Sequence, residues 1–147
     1  MSNLLRTALA TCAVAGVVTA AGYHLHNANE PAVVLGPGTV EVVLDLDYTR
    51  FAPDHLVVRE GTMVRFVLRN HDPIRHELIV GPPEVHARHA SGHEAVHPPV
   101  PGEVTVEPDA TAETVYHFDD VGTVVFACHL PGHDEYGMHG TVEVLPA

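Results

Sequence analysis

The strongest constraint on this chain is a short alternating rhythm. Residues 62–69 read TMVRFVLR, with Met63, Val64, Phe66 and Leu68 set against Arg65 and Arg69, and Val67 out of step. Successive side chains point to opposite faces of a strand, so this pattern fits a strand with one buried face. Glu60-Gly61 supplies the turn before it. Comparable runs occupy residues 39–46, 55–59, 76–80, 103–106, 113–118, 122–128 and 140–145, separated by turn-forming residues. About eight short strands of this kind predict an all-β sandwich or barrel. Long helical periodicity and internal repeats are absent. A chain of 147 residues, 46% of them hydrophobic, is sized for one domain with one ordinary core.

The N-terminal run MSNLLRTALATCAVAGVVTAAGYHLH carries Arg6 ahead of an Ala- and Val-rich stretch that ends near Gly22. Val18-Thr19-Ala20 places small residues where a signal peptidase reads, so residues 1–21 are expected to be a signal peptide cleaved after Ala20 or Ala21. The alternative is an uncleaved membrane anchor, although the run is short and weakly apolar for a span that needs roughly 20 apolar residues. Both readings put the rest of the chain outside the cytoplasm, in the periplasm, in the cell envelope or secreted. Residues 22–38 read as a linker and residues 39–147 as the domain. The formal net charge is −12, from 7 basic residues, all Arg, against 19 acidic ones. Such a surface repels phosphates, which argues against nucleic acid and anionic membranes and favours a basic partner.

Cys12 falls in the segment expected to be removed, which leaves Cys128 as the sole thiol of the mature chain. In an oxidising compartment it has no disulfide partner within the chain. It either packs as a small hydrophobe or has a dedicated use. The 13 His residues are the compositional outlier, and an imidazole excess points to metal handling or pH response.

The segment FACHLPGHDEYGMHG, residues 126–140, gathers Cys128, His133 and Met138. Two His and one Cys in a trigonal array, with a weak axial Met, is the ligand set of an electron-transfer copper site. The strand ending at Cys128 would fix the sulfur. HLPG would turn the chain so that His133 points back, and DEYG would return it for Met138. The second imidazole must come from elsewhere. NHDPIRHELIVG, residues 70–81, offers His71 inside a turn and His76 at a strand start. A strand holds a ligand better, which favours His76.

With these residues the chain resembles the cupredoxin family of type 1 blue copper proteins. The resemblance runs from about Val40 to Leu145 and includes F-x-P-x-x-L-x-V-x-x-G at residues 51–61. The Cys-x4-His-x4-Met spacing looks most like rusticyanin and auracyanin. It implies a Greek-key β-sandwich holding one type 1 copper on His76, Cys128, His133 and Met138. It also implies outer-sphere single-electron transfer through the exposed edge of His133. Glu77 departs from the family pattern, since several relatives place a neutral residue after the first ligand. A carboxylate there would favour the oxidised metal and lower the potential. His129 is read as exposed and as a candidate for the electron path. Ala127 precedes Cys128, so the paired His residues that flank this Cys in multicopper oxidases are missing.

Residues 82–101, PPEVHARHASGHEAVHPPVP, interrupt the strands with a long insertion bounded by prolines. Insertions of this length are usually functional or disordered. Its His86, His89, His93 and His97 are spaced three, four and four apart and would line one face if the segment is helical. They form either a solvated polar loop or a second site for copper or zinc. Two functions follow: an electron carrier with a redox partner protein, or a copper-binding, storage or delivery protein. Oxidase or nitrite-reductase activity is disfavoured, because those enzymes need further copper ligands across domains or subunits.

Overall fold

The computed structural model describes residues 34–92 and 100–147. The expected signal or anchor, most of the linker, and His93 and His97 lie outside the described residues. In chain order the elements are β1 (Val34–Leu35), β2 (Gly38–Leu46), β3 (Phe51–Ala52), β4 (His55–Arg59), β5 (Thr62–Asn70) and β6 (His76–Gly81). Then come α1 (Pro83–Ser91), β7 (Glu103–Val106), β8 (Thr111–Phe118), β9 (Gly122–Ala127) and β10 (His139–Leu145). Every strand expected from the alternation is there, with the two-residue β1 and β3 added as edges. Among the described residues no helix is long and apolar enough to cross a membrane.

The strands form two mixed sheets, ordered β1-β4-β10-β9-β6-β7 and β3-β2-β5-β8. The chain changes sheet six times, after β1, β3, β4, β5, β7 and β8. As a result β10 runs parallel to β4 but antiparallel to β9, while β2 runs parallel to β5. This is an all-β sandwich of two mixed sheets, the Greek-key architecture that the sequence resemblance implies. The period-two pattern decides which face is inside. Leu44 and Leu46 of β2, with Val64, Phe66 and Leu68 of β5, are fully buried from one sheet. Val58, Leu78, Phe126, Val142 and Val144 meet them from the other. Each such side chain contributes about 1.5–3 kcal/mol by leaving water. Phe51 and Phe126 meet edge to face at 5.4 Å between ring centres, closing the core near the end where the loops gather.

Two local features position the site. The strand β6 is buried along its whole length, and α1 follows at once and lies against it. The helix begins with Pro83 in its first turn, where the missing amide hydrogen is harmless, and carries Glu84 there and Arg88 and His89 in the last turn. Gly140 of β10 is the second feature. A Cβ at this position would stand 2.2 Å from Phe126 Cζ and 2.3 Å from the Asp54 carbonyl oxygen. Gly140→Ala should therefore destabilise the domain by about 1–3 kcal/mol or more. The measurement is a denaturant midpoint, and an unchanged midpoint would contradict this packing.

Candidate metal centre

The centre sits where β9 and β10 stop pairing. Their ladder ends at the Ala127–His139 pair. One further hydrogen bond, from the Cys128 amide to the Met138 carbonyl at 3.0 Å, carries the pairing a step beyond. Cys128 and Met138 are thus fixed opposite each other at the strand ends, and both are fully buried. Between them the chain folds back on itself. The His133 amide donates to Leu130 O at 3.0 Å, the Gly137 amide to Asp134 O at 2.8 Å, and the Met138 amide to His133 O at 2.9 Å. Gly132 and Gly137 have φ of +84° and +92°, a left-handed backbone that glycine adopts without strain.

The opposing wall is the start of β6. His76 is its first residue and is fully buried. The turn before it is pinned by Asn70, whose side-chain amide donates to Ile74 O at 2.7 Å and Glu107 O at 3.0 Å. Asn70 Oδ1 accepts the Asp72 amide at 3.0 Å. The buried Asp72 carboxylate accepts the amides of Tyr48 and Thr49 at 2.9 and 2.8 Å. It also lies 2.8 Å from His76 Nε2. An ionised carboxylate only accepts, so Nε2 carries the proton and Nδ1 is left with its lone pair. Asp72 thereby fixes both the tautomer and the ring orientation of His76.

That lone pair points into the centre. His76 Nδ1 is 3.2 Å from His133 Nδ1, which is 3.2 Å from Cys128 Sγ. The three donor atoms lie within 4.8 Å of one another. Two imidazole nitrogens bound to one ion at about 2.0 Å each stand roughly 2.8–3.5 Å apart, so the spacing suits a single ion. One thiolate and two imidazoles form the soft donor set that selects copper. Of these residues, only His133 is partly exposed.

The electrostatics follow from burial. Desolvation pushes the Cys128 thiol up to about 12, against hydrogen bonding from the backbone of Glu77 and Leu130. Burial, then the neighbouring His76, lowers the His133 pKa and keeps its imidazole neutral. Burial alone would raise the Asp72 carboxyl, but hydrogen bonds from Thr49, His76 and Tyr48 hold it below its usual range. A metal entering here must displace the thiol proton.

Of the candidate ligands, His76, Cys128 and His133 come together, with Met138 buried in the same cluster as Cys128. His71 is exposed and lies 3.0 Å from Asp45 Oδ1, away from the centre. Asp72 is a functional residue that sequence reasoning missed. Its only signal is a carboxylate four positions before a ligand His. Glu77 was noticed for its charge, and its structural part is new: Glu77 Oε1 accepts the His129 amide at 2.9 Å, tying β6 to the residue after Cys128. His129 corrects an expectation, because its side chain is only 7% exposed. Helix α1 covers it: His86 Nδ1 lies 2.8 Å from His129 Nε2, and the His89 ring stacks over it. His89 Nε2 itself lies 3.0 Å from Glu103 Oε2, while its ring face packs on His129.

No family model matches the chain. It is 38% identical over 132 residues to the copper-resistant cuproprotein CopI of Rubrivivax gelatinosus, covering 84% of this chain and 79% of that relative. Among solved structures it is similar to the reduced auracyanin of Roseiflexus castenholzii, with a TM-score of 0.61 and 19% identity over 72% of this chain and 97% of that one. Reduced rusticyanin gives a TM-score of 0.51 at 21% identity, over 78% and 84% of the two chains. At these identities the two structures speak for the fold alone.

The raised thiol pKa gives a stability prediction for the metal-free protein. The unfolded thiol ionises from about pH 9, whereas the folded one resists until about pH 12. The stabilisation is therefore complete below pH 9 and is lost as pH rises toward 12. Denaturation midpoints across this range should fall more steeply for the parent than for Cys128→Ser. Parallel curves would contradict the burial argument.

Proposed function

The chain belongs to the family of copper-resistant cuproproteins CopI and has the cupredoxin fold, and from that premise we propose that it binds one copper ion through His76, Cys128, His133 and Met138 and carries single electrons outside the cytoplasm. The observation that carries this reading is the convergence of two imidazole nitrogens and a buried thiol within 4.8 Å, with His76 held by Asp72 and with Cys128 and His133 tied to Met138 within one loop. Bound copper would supply a one-electron couple. The chain's own part is to keep the donors still and dry. Asp72 locks His76, the Cys128–Met138 backbone bond locks the sulfur, and the glycine-bounded turns lock His133. A donor set that cannot relax favours electron exchange with little rearrangement. The partly exposed edge of His133 is the natural exit for the electron. The formal charge of −12 favours a basic redox partner, with association weakened by salt. The N-terminal features of the sequence support an extracytoplasmic location.

A second reading, copper binding, storage or delivery, is favoured by the relatives named copper-resistant cuproproteins. The two readings separate on reduction. An electron carrier keeps its copper through repeated cycles, and a delivery protein gives it up to a chelator once reduced. Catalysis is not proposed, since Ala127 stands where a multicopper oxidase would need a further His.

Adding Cu(II) should give an intense blue colour that ascorbate bleaches, and Cys128→Ser should abolish it. A Cys128→Ser protein that stays blue would remove the assignment. Glu77→Gln keeps an oxygen to accept the His129 amide while removing the charge beside Cys128. Its reduction potential should rise by tens of millivolts, and a titration showing no shift would discount the carboxylate.

A further inference from the structure

Helix α1 and the β9 end build a second imidazole cluster that the copper centre does not use. His86 Nε2 lies 3.2 Å from the carbonyl oxygens of both Gly81 and Val125. Two acceptors on that nitrogen fix the proton there, so the lone pair is on Nδ1. That atom stands 2.8 Å from His129 Nε2. The rings meet nearly at right angles, 67° apart with centroids 5.1 Å apart. On the far side of His129, Nδ1 faces Asp134 Oδ2 at 3.9 Å. Asp134 is beyond hydrogen-bond reach and its other oxygen is engaged by His139 Nδ1 at 2.8 Å, so in the metal-free protein His129 Nε2 donates to His86 Nδ1. A bound metal would replace that proton, with the ring proton passing to the Nδ1 that faces Asp134. The pair lines a groove of about 570 Å³ together with Asp134, Asp120, Tyr116 and Pro83, so it is reached from solvent.

We propose that His86 and His129 form a second copper site, a two-imidazole seat in this groove joined to Cys128 by the Cys128–His129 peptide bond. Two nitrogens each about 2.0 Å from one ion stand about 2.8 Å apart when they subtend a right angle, which is the spacing found. Imidazole donors without a thiolate suit Cu(II) and Zn(II), and copper binds the tighter of the two at equal geometry. Glu103 Oε2 engages His89 Nε2, so that nitrogen is not assigned as a ligand. The site differs from the four-histidine face expected from spacing, since one of its two ligands comes from the strand end beside Cys128. It extends the copper-binding reading of the first centre, yet it needs none of that centre's ligands.

The test uses Cu(II) as the probe and counts bound copper per chain in four proteins: the parent, Cys128→Ser, His86→Ala, and the double variant His93→Ala with His97→Ala. The parent should bind two ions, one blue and one with an ordinary nitrogen-rich EPR signal. Cys128→Ser should keep only the second. His86→Ala should lose the second while the blue band persists, which also shows that the domain has folded. His86→Gln should behave as His86→Ala does. The double variant should retain both ions. A second ion that survives His86→Ala, or that disappears in the double variant, would overturn the assignment. So would a parent binding one blue ion only. Loss of blue colour in the parent would instead count against the first centre, leaving the His86-dependent ion in Cys128→Ser to be judged by itself.

Discussion

A sulfur kept from water sets the terms for the rest of this domain. Cys128 is fully buried, and its thiol pKa is pushed up to about 12. In that environment the thiolate needs a cation beside it to exist at neutral pH. Burial therefore does two jobs. It holds the thiol protonated until a metal arrives, and it excludes the water that would otherwise compete for the metal. Both depend on the sandwich: Phe126 and Val142 under the strand ends, and the Cys128–Met138 backbone bond at the rim.

The imidazoles are set by different means, and the difference matters. His76 belongs to a strand buried along its length, and Asp72 dictates which of its nitrogens is free. His133 belongs to a turn, and its own backbone bonds to Leu130 and Met138 position it. One ligand is thus rigid and dry, and the other is rigid and partly wet. Under the proposed electron-transfer reading, that asymmetry would give an electron a preferred way out through His133.

Much of this was legible in the sequence. Period two locates the strands, because one buried face forces alternation, and the Cys-x4-His-x4-Met loop announces its chemistry through residue type alone. The preference for His76 over His71 also followed from a local rule about where strands begin. What escaped were contacts between distant segments. Asp72 gains its role from the amides of Tyr48 and Thr49, which fold against it from more than twenty residues away. His129 looked exposed because nothing in its neighbourhood predicts that α1, forty residues earlier, packs over it. That His86 and His89 share a helix was readable from spacing, but not which way each ring would turn, and His93 and His97 lie outside the described residues.

The central claim, that His76, Cys128 and His133 grip one copper in a frame that does not relax, is tested most directly by copper-edge X-ray absorption on the copper-loaded His86→Ala protein, which leaves the first centre as the absorber, in both oxidation states. The expected result is a shell of one short sulfur and two nitrogens whose distances barely change on reduction. A shell of nitrogen and oxygen alone, or one that rearranges when the copper is reduced, would contradict it.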